Sequence, residues 1–491
     1  MTARAWPLLL AVVAGCGSGS TGVPPLEDVA RIDRVLGGLR PVIAIKGEPP
    51  LRWTLADRMT HYRVPGISIA VIDSGRIAWA SGYDVKAAGG ADSVTAETLF
   101  QAGSISKPTF ALAVMRLVQD GKLDLDEDVN LKLTSWKVPE NRFTAANKVT
   151  LRRILSHSAG LTVHGFPGYP VGAPVPTVPQ ILDGEQPANT GPVRVDTFPG
   201  AISRYSGGGT TVAMLLATDV TQIPFPALMR RMVLEPAGMK HSTYEQPLPA
   251  ALAAAAASGH TSRGTIVPGR YHTYPEMAAA GLWTTAVDLA KLAIELQATY
   301  AGRSSKVIDP ATFKAMLVPQ KAGFGIGYHL QGSGPDLEFA HDGADEGFTA
   351  LFLAFSERGQ GLMVMTNGDG GALLIGEVIE SVAAEYRWPA DEQSERTVVP
   401  VEATTLAEIA GDYQIDFGGA EPVVVSVTVE DGKLYLEAKA GPFRRDRLLA
   451  DSDSTFFGRE SGHPVQFDRA KGRVVGITMG GSLRGRKIVP R

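Results

Sequence analysis

Ser104 and Lys107 stand three residues apart in the run Gln101-Ala-Gly-Ser-Ile-Ser-Lys-Pro-Thr-Phe110, at the expected start of a helix. On a helix, positions i and i+3 share one face, so the Lys107 nitrogen can lie beside the Ser104 hydroxyl. A hydroxyl is a poor nucleophile until something takes its proton, and a lysine among apolar neighbours loses its charge readily enough to do so. The pair therefore reads as nucleophile and activator. Two later elements can join it. Ser203-Arg-Tyr205-Ser-Gly207 offers a phenol just after a long loop, and His341-Asp-Gly343 lies in a strand-rich stretch, followed by Asp345, Glu346 and Gly347.

Other chemistries find less support. No His-Glu-x-x-His and no cysteine pair accompanies His157 or His164, so both read as hydrogen-bonded structural residues rather than zinc ligands. The carboxylates of Asp124-Leu-Asp-Glu-Asp128 lack calcium-loop spacing and read as a solvated turn. There is no Gly-x-Ser-x-Gly elbow, and no phosphate-binding glycine loop follows an expected strand. No metal and no cofactor is expected. Asp342 and Glu346 read as rim or turn residues.

The elements that must position these groups can be traced along the chain. An amphipathic helix is expected over 51–62, then an apolar strand over 64–72, a turn at Asp73-Ser-Gly75 and a second strand over 76–82, together a hairpin. The helix bearing Ser104 and Lys107 extends to Gln119, with Phe110, Leu112, Met115 and Leu117 as core candidates and Gly121 beyond its end. Further helices are expected at 150–156, 210–220 and 225–234. Between the first two of these, 165–200 is rich in proline and glycine and long enough to wall a substrate site. Thr285 and Asp288 have the spacing of a helix cap and its acidic partner, on a helix reaching Thr299. From Phe324 the pattern turns to strand, at 325–330, 337–340, 349–355 and 361–366, before a closing helix at 377–386. Strands first and last with helices between them predict one antiparallel sheet built from both ends of the domain, beside a helical region, an α/β class. A polar linker follows at 389–402. Beyond it, alternating segments at 423–429, 433–437, 454–457, 465–467 and 474–478 predict a small antiparallel barrel or sandwich.

With 491 residues, 44% of them hydrophobic, the chain can form two or three domains. Its net charge of −4 and lack of any basic run exclude nucleic acid as the natural partner. At the N-terminus Arg4 precedes an apolar run over 5–14, and Val13-Ala14-Gly15-Cys16 follows, an export signal too short to span a membrane as a mature helix. Cys16 is the single cysteine, and a lone thiol that cannot form an internal disulfide makes most sense here as an acylation site. Residues 17–50 then begin as a Gly-, Ser- and Pro-rich tether.

In order and context, Ser104-x-x-Lys107, Tyr205 and His341-x-Gly343 resemble the penicillin-recognising serine hydrolases, within them the branch of class C β-lactamases, DD-peptidases and family VIII carboxylesterases. Leu155-Ser-His-Ser-Ala-Gly-Leu161, Pro236-Ala-Gly-Met239 and Gly281-Leu-Trp283 extend the likeness. The resemblance implies a β-lactamase/transpeptidase-like domain over 51–388 and a lipocalin-like β-barrel over 403–491. It implies a Ser104 acyl-enzyme, Lys107 and Tyr205 sharing its proton, and an oxyanion hole from the N–H of Ser104 and one from the strand after His341-Asp-Gly343. Substrates would be small esters or D-amino-acid peptides. The alternatives are a class C-like β-lactamase and a non-catalytic binder of penicillin or peptidoglycan peptides. Where the family prefers Lys-Thr-Gly, His341 stands for the lysine, which weakens a grip on a substrate carboxylate or makes it pH-dependent. Gly207 stands where asparagine is usual, so Ser206 or a lid residue would have to replace its amide, while Gly343 keeps the strand edge open. The end of the signal resembles a bacterial lipobox, implying a periplasmic or outer-membrane lipoprotein anchored through Cys16, with Gly17 favouring the outer membrane.

Overall fold

A computed structural model describes residues 26–389, 393–415, 422–438, 445–481 and 483–488. The expected signal segment and Cys16 lie outside the described residues. Contacts divide the chain into two units, one holding 64–368 and the other 32–63 with 369–491.

In the first unit the sheet is assembled from both ends of the sequence. Its strands are β1 (Gly66–Asp73), β2 (Arg76–Asp84), β3 (His329–Gln331), β4 (Glu338–Asp345), β5 (Phe348–Phe355) and β6 (Gly361–Thr366). Their order across the sheet is β2-β1-β6-β5-β4-β3, antiparallel throughout. The decisive pairing is β1 with β6, Ile67 opposite Thr366 through Ile72 opposite Gly361, which joins the early hairpin to the late strands. Strands β5 and β6 are buried along their whole length, so they read as continuous apolar runs rather than alternating ones.

The helices that matter to the site are α1 (Ser106–Gln119), α2 (Gly207–Thr221), α3 (Met277–Ala280) and α4 (Ala286–Tyr300). Helix α1 is buried on nearly every face, Phe110, Leu112, Met115 and Leu117 included, and packs on α3. Helix α4 lies on β1 and β6 and is capped by Thr285, whose hydroxyl accepts the Asp288 N–H. Asp288 does not return the bond. Its carboxylate instead accepts the His241 N–H and the Ser242 hydroxyl and pairs with Lys291.

Some elements differ from expectation for local reasons. The helix expected from residue 51 begins at Leu55, because Thr54 and Asp57 form a reciprocal capping box there. The strand expected at 325–330 shrinks to β3, since Ile326 N–H is drawn to Met316 O and Gly327 takes a positive φ of 85°. The helix expected at 210–220 starts at Gly207, so three glycines make its first turn.

The second unit carries a closed antiparallel barrel of eight strands, β7 (Gly411–Ile415), β8 (Val423–Glu430), β9 (Lys433–Ala438), β10 (Asp446–Ala450), β11 (Thr455–Gly458), β12 (Pro464–Ala470), β13 (Arg473–Met479) and β14 (Leu483–Lys487), shut by pairing of β7 with β14. Tyr413, Val425, Leu436, Phe456, Phe467 and Ile477 are among the side chains that fill its core. Helices Leu55–Tyr62 and Gly371–Tyr386, both within the expected 51–388 domain, group with the barrel. The Arg58 guanidinium reaches Glu377 at 2.6 Å, also pairs with Glu460 of the barrel, and lies 4.1 Å from the Trp53 ring; Tyr62 donates to Glu377 at 2.7 Å. Arg58 is 5% exposed and Glu377 1%, so neither charge has water as an alternative partner. Removing one partner strands the other. Arg58→Ala is expected to lower the unfolding free energy by about 3–5 kcal/mol in a denaturant titration; a loss under about 1 kcal/mol, the range of exposed pairs, would contradict this.

Candidate active site

A 3-10 turn, Gly103–Ile105, precedes α1, placing Ser104 just ahead of the helix and Lys107 in its first turn. The turn is held from several sides. Phe100–Gln101 pairs with Trp283–Thr284, Ala102 N–H donates to Leu282 O at 2.9 Å, and the Ser106 hydroxyl donates to Gly103 O at 2.6 Å while accepting the Leu282 N–H. The Gly281-Leu-Trp283 motif thus has a physical role, as the backing of the nucleophile's turn.

Lys107 Nζ lies 2.9 Å from Ser104 Oγ and 2.8 Å from Ala279 O. Burial pushes its pKa down to about 7, against partial opposition from Asp345 and Asp342. A neutral amine has two protons and one lone pair. Ala279 O, able only to accept, holds a proton, which leaves the lone pair free to face the Ser104 hydroxyl. Near neutrality the lysine is therefore able to act as the base.

Tyr205 precedes the cap of α2 and stands close to Ser104. Its ring lies 4.8 Å from Lys107 Nζ, with the His157 ring 4.2 Å and the His164 ring 4.9 Å from its own. Burial raises the phenol's pKa, and the nearby Ser104 hydroxyl offsets this only in part. Burial thus has opposite consequences for the two groups, favouring a lysine without its proton and a phenol that keeps its own. His157 is buried and accepts the Ser206 N–H on Nδ1 at 3.2 Å. Burial, then Lys107, holds it well below the usual imidazole range.

Ser206 is not available to replace an asparagine amide. Its hydroxyl donates to Thr162 O at 2.7 Å and accepts the Gly209 N–H at 2.9 Å, as the cap of α2. At Gly207 a Cβ would sit 3.0 Å from the Phe166 ring and 3.1 Å from His164 O, because the loop over 162–166 packs onto the helix start. Phe166, a lid residue, occupies the neighbourhood an asparagine side chain would need.

Strand β4 forms the opposite wall. Its partner β3 pairs only with residues 338–340, so His341 to Asp345 are left unpaired on that edge. Gly343 meets the nucleophile turn itself: a Cβ there would lie 2.0 Å from Ala102 O and 3.2 Å from Ser104 N. Close backbone approach, besides an open edge, is what requires glycine here, and it brings Ala344 beside Ser104. Burial raises the pKa of Asp345 well above the usual carboxylate range, and its Oδ2 has no hydrogen-bond partner among the described residues. His341 Nδ1 faces Asp342 O at 2.6 Å, and burial lowers the imidazole's pKa. So the sequence-predicted Ser104, Lys107, Tyr205, His341, Gly343 and Gly207 converge on one region, and the first four of them line a cavity of about 450 Å³. His164, Phe166, Phe324, His329, Asp342 and Asp345 also line it. Glu276, just before the helix that supplies Ala279 and Ala280 to the lining, has both carboxyl oxygens buried without a partner among the described residues, its pKa pushed up to about 8 by burial.

A lysine amine against a serine hydroxyl, with a tyrosine near both, set against an antiparallel sheet edge and a helical region, is an arrangement suited to a serine nucleophile. The family described as Beta-lactamase matches residues 51–379, and the chain belongs to that family. Among relatives, the putative penicillin-binding protein PbpX of Bacillus subtilis (strain 168) is 23% identical over 290 residues, 57% of this chain and 65% of that protein. Unguisins hydrolase ungD of Aspergillus violaceofuscus (strain CBS 115571) is 25% identical over 448 residues, 76% of each chain. Among solved structures, D-amino acid amidase from Ochrobactrum anthropi SV3, complexed with L-phenylalanine, superposes with a TM-score of 0.54 at 21% identity, covering 72% of this chain and 98% of its own. This likeness establishes the β-lactamase/transpeptidase-like fold.

Because Gly343 and the nucleophile turn touch through their backbones, Gly343→Ala is expected to displace Ser104 and slow its labelling by a fluorophosphonate by about a hundredfold. Labelling at the wild-type rate in a folded variant would contradict this.

Proposed function

We propose that this protein hydrolyses small esters or D-amino-acid-containing peptides through an acyl-enzyme on Ser104. The observation that carries the reading is the buried Lys107 Nζ at 2.9 Å from Ser104 Oγ. As Ser104 Oγ attacks the substrate carbonyl, its proton passes to the Lys107 amine, and the carbonyl oxygen gains charge opposite the N–H groups of Ser104 and Ala344. The Tyr205 phenol, on the same cavity as Ser104 and Lys107, is placed to relay a proton to the departing group. Water then attacks the acyl ester, giving its proton to the same pair, and Ser104 is released. The name of one similar protein, a D-amino acid amidase, fits acyl transfer from nitrogen.

β-Lactamase action is the second reading, favoured by the family but less by this site. Gly207 supplies no amide, and His341 is an uncharged imidazole where a lysine would hold the lactam carboxylate. A non-catalytic binder is the third. Mass spectrometry after exposure to a fluorophosphonate or a penicillin is expected to show an adduct on Ser104 that Ser104→Ala abolishes, and Tyr205→Phe is expected to cut ester turnover by at least about a hundredfold. Absence of both adduct and p-nitrophenyl ester hydrolysis would sink the enzyme reading.

We further propose that the chain is exported and held at a membrane by acylation of Cys16, on the strength of the apolar N-terminal run and its lone cysteine. Cys16→Ser is expected to move the protein into the soluble fraction. An unmutated protein that is already soluble would count against the anchor.

A further inference from the structure

The polar groups around Ser104 are mostly of one electrical kind. No arginine lines the cavity among the described residues, and its one lysine, Lys107, is engaged with Ser104 Oγ and Ala279 O. Asp342, by contrast, is exposed on the β4 wall, and its carboxylate has no hydrogen bond or ion pair among the described residues. Beside it, His341 Nδ1 lies 2.6 Å from Asp342 O. A carbonyl oxygen only accepts, so Nδ1 holds the proton and Nε2 keeps its lone pair. That Nε2 is buried and has no partner among the described residues. A substrate carboxylate meeting this part of the wall finds two acceptors and no lysine or arginine free to pair with it, whereas an ammonium group meets an anion and a lone pair.

We propose that the cavity selects acyl groups bearing an ammonium group, that is, N-terminally free amino-acyl amides and esters, with the Asp342 carboxylate as counter-ion and His341 Nε2 as hydrogen-bond acceptor. This rests on the reading of Ser104 as the acylated nucleophile. At about 450 Å³ the chamber suits a single amino-acyl residue, walled by Phe166 and Phe324, so an α-substituent shares the space with the scissile bond. The field of Asp342 raises the pKa of Lys107, His164, Tyr205 and His341 alike, which places its charge centrally among the groups that would surround such a substituent. The remaining acid on the wall, Asp345, is buried, with its pKa raised by that burial, so the exposed carboxylate of the wall is that of Asp342. The same arrangement disfavours penicillins and peptides presented by a terminal carboxylate.

The test uses three p-nitroanilides that differ at one carbon: phenylalanyl, as both enantiomers, with an ammonium; 3-phenylpropionyl, with hydrogen; and benzylmalonyl, with a carboxylate. In the full-length wild type, kcat/KM is expected to favour the better phenylalanyl enantiomer over the uncharged compound by about fivefold or more, the worth of one partly exposed ion pair, with the carboxylate last. In Asp342→Asn that ratio is expected to collapse toward one; a ratio within one variant is insensitive to how much of it is folded. A wild-type ratio at or below one, or a ratio that survives Asp342→Asn, overturns the proposal. So does failure to cleave any of the three by a protein whose Ser104 a fluorophosphonate still labels, an outcome that leaves the hydrolase reading standing. Failure of labelling as well overturns both.

Discussion

Taking an ammonium group out of water costs several kcal/mol unless a carboxylate or equivalent partner compensates. Lys107 is 5% exposed, its nitrogen touches a hydroxyl and a carbonyl, and no ion pair reaches it among the described residues. Release of its proton is the way out of that cost, and release makes it a base. The rest of the site has to respect this. Asp345 lines the same cavity and pulls a proton back toward the lysine, and its own burial, which raises its pKa, weakens that pull. Tyr205 sits under the same constraint with the opposite sign, since desolvation that strips a lysine of its proton secures the proton of a phenol.

Holding these groups together falls to backbone contacts more than to side chains. The nucleophile turn is clamped between the Leu282–Trp283 segment on one side and Gly343–Ala344 on the other, at separations that only unadorned backbone allows. The wall that includes β4 depends on β5 and β6, and β6 depends on β1, so the substrate edge is fixed only when the two ends of the first unit have met. Long-range pairing of this kind explains why residues from 104, 205 and 341 share one cavity although a hundred or more positions separate each from the next.

How much of this could be read from the sequence depended on whether the signal was local. The Ser104–Lys107 spacing was legible because a helical turn converts it directly into proximity, and the 361–366 strand because an apolar run between breakers has few other readings. The barrel as a class was legible from alternation, but β7, β10 and β14 were not: they are five residues each, and Arg, Lys or Asp interrupts their pattern. His164, Phe166 and Phe324 reach the cavity from irregular segments that have no period to betray which way they face. Gly207 stood out as a departure from the family, yet its physical reason, the approach of Phe166 and His164 to the helix start, needed the fold. Nothing in the sequence singles out Glu276 or Asp345; burial is what makes them exceptional.

Catalysis by this site requires Lys107 to be half or more unprotonated near neutral pH. Titration of the Lys107 side chain by NMR, in protein carrying isotopically labelled lysine and assigned with Lys107→Arg, measures this directly. The expected midpoint is about 7. A Lys107 signal that stays fully protonated until about 10, as an ordinary solvated lysine does, would contradict it.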